Sequence, residues 1–151
     1  MNRKPEDYDE FARQMKEKYP QMFSKPYGGI DIGPGWWPII ASLCANIQYH
    51  IDWTNKTRNR LLGENPYNQP IPDEVEQVVV GQIKEKFGGL RFYYTGGDSK
   101  IDGMVQIAES WADKHCEECG KPGKFRPGGW IKTLCDEHEQ ERQARMKQQS
   151  K

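Results

Sequence analysis

Three cysteines and one histidine near the C-terminal end carry the most specific chemistry in this chain. Cys116 and Cys119 form a C-x2-C knuckle, followed by Gly120, which lets the chain turn tightly. After fifteen residues comes a second pair, Cys135-x2-His138. Thiolate and imidazole are the ligands that Zn²⁺ prefers, and Cys3His is a standard closed set. A closed tetrahedron leaves no position for a substrate, so the expected zinc is structural. His115 adjoins Cys116 and could replace His138 only through unusual geometry, so His138 is the expected fourth ligand. The segment between the pairs turns at Pro127-Gly128-Gly129, which predicts a zinc ribbon over residues 115–138 that unfolds without metal. Its charges balance: Lys114, Lys121, Lys124, Arg126 and Lys132 face Asp113, Glu117, Glu118, Asp136 and Glu137.

A second pattern lies in "QIKEKFGGLRFYY", residues 82–94. Glycine suits a two-residue hairpin turn, so Gly88-Gly89 would pair Phe87 with Leu90 and Lys86 with Arg91. Side chains alternate across a strand. One face then carries Ile83, Glu85, Phe87, Leu90, Phe92 and Tyr94, the other Gln82, Lys84, Lys86, Arg91, Tyr93 and Thr95. The first reads as core apart from Glu85. On the second, like charges opposite one another destabilise a hairpin and ask for a counter-ion. That partner is an acid of the C-terminal tail, Glu85 in another register, or a phosphate-bearing ligand. The plain alternative is a solvated sheet face.

The third pattern is "GPGWWP", residues 33–38, at the start of a helical stretch. Helix N-termini attract anions, glycine admits a close ligand, and a tryptophan can stack on a base. The plain alternative is a turn, a cap and two core aromatics. Together these motifs nominate Lys84, Lys86, Arg91, Tyr93, Gly35 and Trp36 as ligand-binding residues. His50 and Asp52 do not share a helix face. Asp73, Glu74 and Glu76 read as loop charges, and Cys44 sits on an apolar stripe. No nucleophile–base constellation emerges, so a non-enzymatic protein is expected.

The elements that must position these groups follow from periodicity. Residues 5–18 predict a helix, with Pro5 in the first turn, acids early and bases late. Residues 27–35 read as a glycine-rich loop. A second helix over 37–60 buries Ile40, Leu43, Cys44, Ile47 and Ile51. The proline-rich stretch 63–72 is a connection. Strands follow at 75–87 and 90–95. Ser99 with Asp102 resembles a capping box opening a helix over 100–114, with Ile101, Met104, Val105, Ala108, Trp111 and Ala112 inward. The tail is polar, with acids preceding bases, and reads as a solvated helix. The expected fold is α+β: helices packed on a small antiparallel sheet in a core of residues 1–114, a zinc ribbon at 115–138 and a polar helical tail at 139–151.

The 151 residues include 35% apolar and 29% charged side chains, and five Trp, seven Tyr and five Phe supply core area. Lys plus Arg equals Asp plus Glu, 22 against 22, so no global field draws the chain onto a polyanion. The first residues hold no apolar signal-peptide core, and no run reaches the roughly 18 apolar residues that span a bilayer. The cysteines are spaced for metal rather than disulfides, which points to a reducing cytoplasm.

The strings "GPGWWPII-SLC", "KEKFGGLRFYY", "IAES" and "CEECGKPG…GGWIKTLCDEH" resemble a group of small proteins encoded by bacteriophages and prophages. The resemblance spans about residues 28–140. It implies a phage gene product in the host bacterial cytoplasm with a C-terminal zinc-ribbon-like element, and it brings no catalytic residues. The resulting expectation is an accessory protein that binds a phosphate-bearing small molecule, such as a nucleotide or a nucleotide signal of host defence. A nucleic-acid-binding zinc ribbon and a protein–protein adaptor acting on a host factor are the alternatives. No membrane partner is expected.

Overall fold

The computed structural model describes residues 5–25 and 29–149, the side chain of Pro5 excepted. Tyr27 and Gly28, part of the expected glycine-rich loop, lie outside the described residues, as do Ser150 and Lys151 of the tail. In chain order the elements are α1 (Pro5–Lys18), β1 (Ile30–Asp31), a 3-10 turn (Pro34–Trp36), α2 (Trp37–Gly63), β2 (Val79–Lys86), β3 (Gly89–Thr95), α3 (Ser99–Ala112), β4 (Lys124–Arg126), β5 (Lys132–Leu134) and α4 (Asp136–Gln149). This is the α+β architecture expected from periodicity.

Helix α2 is the spine of the fold. Its 27 residues extend over about 40 Å. Pro38 falls in the first turn, where its missing N–H costs nothing. Ile40, Leu43, Cys44, Ile47 and Ile51 are all buried, as the stripe predicted. They share one core with Ile83, Leu90 and Phe92 of the hairpin and with Ile101, Val105, Ala108 and Ala112 of α3. Helix α1 is attached at the start of α2, where Phe11 stacks on Trp37 and Tyr8 meets it edge-on.

Strands β2 and β3 pair antiparallel, and β1 adds a short parallel edge to β2 that sequence periodicity did not reveal. Residues 75–78 are not strand. They run beside α2, held by a reciprocal pair of hydrogen bonds between Asn55 and the Val75 backbone and by Gln48–Gln77 contacts. Side chains of α2 take the place of a strand partner there. Helix α3 is capped by Asp98, whose carboxylate accepts from Ile101 N–H at 3.0 Å, rather than by Ser99. Trp111, expected inward, is 55% exposed at the far end of α3.

The hairpin register differs from the expected one. The turn is Phe87-Gly88, both at positive φ (53° and 81°), so Lys86 pairs with Gly89 and Lys84 with Arg91. The shift is by two residues, so the strand residues keep their faces, but Phe87, expected in the core, falls in the turn and is 71% exposed. Gly89 is the first residue of β3, and a Cβ there would lie 3.0 Å from Arg91 Nη1. Glu85, the polar residue of the core face, is used locally: its carboxylate accepts from Gly88 N–H at 2.7 Å.

Candidate metal centre and the basic sheet face

Each ligand of the C-terminal cluster is delivered by a different local device. Cys116 and Cys119 lie on a tight knuckle just after α3, where Gly120, at φ +80°, returns its N–H to Cys116 C=O at 2.8 Å. The short β4–β5 hairpin brings the chain back, and Cys135 then stands at the entrance to α4. The expected second knuckle is therefore a helix start. His138 lies in the first turn of α4, ahead of the tail boundary drawn from sequence.

The four donor atoms lie within 4.8 Å of one another and could hold a metal ion. A tetrahedral ion with bonds of about 2.3 Å to sulfur and about 2.0 Å to nitrogen has edges of roughly 3.5–3.8 Å. Cys119 Sγ and Cys135 Sγ are 3.8 Å apart, and Cys116 Sγ lies 3.6 Å from His138 Nδ1. Cys135 Sγ to His138 Nδ1 is shorter, at 3.2 Å. The geometry presents Nδ1 as the donor, while Nε2 faces the Glu141 carboxylate at 3.9 Å. His115 is turned away, its Nδ1 2.7 Å from Trp111 C=O. Burial pushes the Cys116 thiol up to about 11. Burial also acts to raise Cys135, but hydrogen bonds from His138 and the neighbouring thiols outweigh it and bring the thiol down to about 7.

The knuckle is welded to the core. Gly35 N–H donates to Glu117 C=O at 2.7 Å, and Trp36 Nε1–H donates to His115 C=O at 2.9 Å. Trp36 is completely buried, and a Cβ on Gly35 would lie 2.0 Å from Cys116 O. Gly35 and Trp36, nominated above for ligand contact, are thus sealed beneath the knuckle. Two residues that sequence reasoning passed over complete the weld. The Glu117 carboxylate accepts from Gly33 N–H at 2.8 Å, and Thr133 Oγ1 donates to Gly88 C=O at 2.6 Å. Both are buried, although Glu117 reads in sequence as a surface acid. Burial pushes its carboxyl up, against the opposing pull of Gly33 N–H and Lys132.

The other four nominated residues do share a face. Lys84 and Arg91 are direct cross-strand partners, Tyr93 pairs with Gln82, and Lys86 lies one step toward the turn. Lys84 Nζ stands 5.8 Å from the Tyr93 ring centroid. Two acids flank this face: Asp31 is the β1 partner of Lys84, and the Asp113 carboxyl feels the Arg91 charge. The face is open. A hollow of about 430 Å³ lies between α2 and α3 around Pro38, Met104 and Trp111. One of about 500 Å³ lies between Trp130 and α4, and one of about 430 Å³ beside Asn55 and Glu74. None of these three hollows is lined by Lys84, Lys86, Arg91 or Tyr93.

Among the described residues, no helix is long and apolar enough to cross a membrane. Compared with protein-family models, curated proteins and solved structures, the chain matches none.

Proposed function

We propose that the protein is a zinc-stabilised, non-catalytic binding protein that takes a phosphate-bearing ligand on the solvent face of the β2–β3 hairpin. The observation that carries this is the direct opposition of Lys84 and Arg91 beside the exposed ring of Tyr93. Two cations facing each other across a ladder weaken the hairpin, and a phosphate between them turns that repulsion into attraction. Zinc is the metal favoured by three thiols and an imidazole at tetrahedral spacing, and its role is to hold the knuckle against the core. Reduced thiols in the centre accord with a cytoplasmic setting.

The test is a thermal-shift titration at low salt with a nucleoside triphosphate and a short oligonucleotide. Ligand at 100 times its Kd stabilises by about 2.7 kcal/mol, a readable shift in Tm. Lys84→Gln and Arg91→Gln should each abolish the shift. The unliganded Tm should hold or rise, because each change removes a like-charge pair. If neither probe raises the Tm of the metal-loaded parent, the reading is wrong.

A further inference from the structure

The turn that joins β2 to β3 places a phenylalanine where the backbone does not favour one. Phe87 is at φ +53°, a left-handed conformation uncommon for any residue with a side chain and costly for a bulky one. A two-residue turn with both φ positive prefers Asn-Gly or Asp-Gly. The ring gains no burial in return: Phe87 is 71% exposed, with Lys86 Nζ 5.8 Å from its centroid. Directly beside it, the zinc ribbon supplies a second exposed ring. A Cβ on Gly88 would lie 3.2 Å from Phe125 Cδ1, and Phe125 is 48% exposed. Tyr93, 42% exposed, sits on the basic face beside Lys84, so three accessible rings lie on or next to the hairpin that carries Lys84, Lys86 and Arg91.

We infer that the hairpin tip and the ribbon extend the basic face into a stacking surface for single-stranded nucleic acid, with Phe87 and Phe125 as base platforms. Cations on an open face track a sugar–phosphate backbone, and aromatic rings accept unstacked bases whatever their sequence. A duplex offers no free base faces and is not recognised this way. The neutral total charge is no obstacle, because Lys84, Lys86 and Arg91 are gathered on one face of the hairpin. This inference rests on the proposed phosphate-binding face and adds the ligand class.

Fluorescence anisotropy on the metal-loaded protein tests it, using oligothymidylate of about 12 nucleotides, the same length of duplex DNA, and thymidine monophosphate as competitor. The single strand should bind at least tenfold more tightly than either other probe. With three phosphates neutralised, its affinity should fall about twentyfold between 50 and 200 mM salt. Phe87→Asn installs the favoured Asn-Gly turn and so keeps the hairpin, yet it should weaken single-strand binding at least fivefold. Phe125→Ala should do the same. If the monophosphate or the duplex competes as well as the single strand, or if both ring variants bind like the parent while Lys84→Gln does not, the stacking surface is refuted and the phosphate face stands. If no probe binds, both are refuted.

Discussion

At the level of single residues, the structure gives two glycines of similar appearance opposite roles. Gly35 is pressed against the knuckle so closely that a methyl group would overlap Cys116 O at 2.0 Å and Gly120 N at 2.5 Å. Those are backbone atoms, and they are held in place by the same turn that positions two thiols. Gly35→Ala should therefore destabilise the protein by about 1–3 kcal/mol and weaken metal retention. The change is remote in sequence from every ligand. Gly103, within α3, has nothing within 4 Å of its absent Cβ. Gly103→Ala should stabilise by roughly 0.5–1 kcal/mol through helix propensity alone. Thermal unfolding of the two variants, with zinc content measured on each, checks both. A Gly35→Ala protein that keeps parental Tm and metal would contradict the weld described here. The ligand quartet itself was legible in the sequence, because two-residue spacing of Cys and His has few other uses. The role of Gly35 was not, because a Gly-x-Gly looks the same whether it admits a ligand or another stretch of backbone.

At the level of elements, the amphipathic stripe of α2 was legible because a helix with one buried face repeats its apolar residues at a fixed period. Strand β1 was hidden: two residues in a glycine-rich stretch carry no period, and their partner lies some fifty positions on. The hairpin register was misread because Gly88-Gly89 looks like the better turn, whereas the chain turns at Phe87-Gly88 with Phe87 at positive φ. The start of α3 shows how one carboxylate serves two elements. Asp98 caps α3 and also meets His50 Nε2 of α2 at 2.8 Å. Burial acts to raise its pKa, but the His50 hydrogen bond and the capping N–H outweigh this, and the carboxyl is held below its ordinary 3.8. A depressed carboxyl pKa stabilises the folded state above the unfolded value, and that contribution is lost as pH falls through the folded value. Acid unfolding should therefore steepen below about pH 4. Asp98→Asn keeps a competent cap but has no charge to lose. Its Tm should lie below the parent's at neutral pH and converge with it in acid. Parallel Tm–pH curves for the two proteins would show that Asp98 contributes nothing through its charge.

At the level of the whole molecule, the Cys3His cluster that could hold a metal is tied to the sheet and to the start of α2. Cys3His zinc sites in isolated fingers supply on the order of 10–16 kcal/mol at neutral pH, comparable to the entire 5–15 kcal/mol stability of an ordinary domain. The ribbon has little else to hold it: its own buried cluster is Cys116, Leu134 and Cys135, and α4 buries no side chain. Without metal, the knuckle and the β4–β5 hairpin have no reason to stay closed. Their loss would reach the core through the hydrogen bonds that Gly33 N–H, Gly35 N–H and Trp36 Nε1–H donate to the knuckle and the one that Thr133 Oγ1 donates to Gly88 C=O. The first three fix the approach to α2, and the last fixes the turn that presents Phe87. The α2–α3 core should survive, since its buried residues pack on one another and on the sheet rather than on the ribbon. Hydrogen exchange before and after a strong chelator should show this gradient. Protection should vanish over 115–138, fall at Gly33–Trp36 and at the Phe87-Gly88 turn, and persist in the middle of α2. Ligand affinity should fall with the turn, even though the metal touches neither Lys84 nor Arg91. Unchanged exchange at Gly35 and Gly88 after complete metal removal would mean that the ribbon is an appendage and that the metal has no hold on the face.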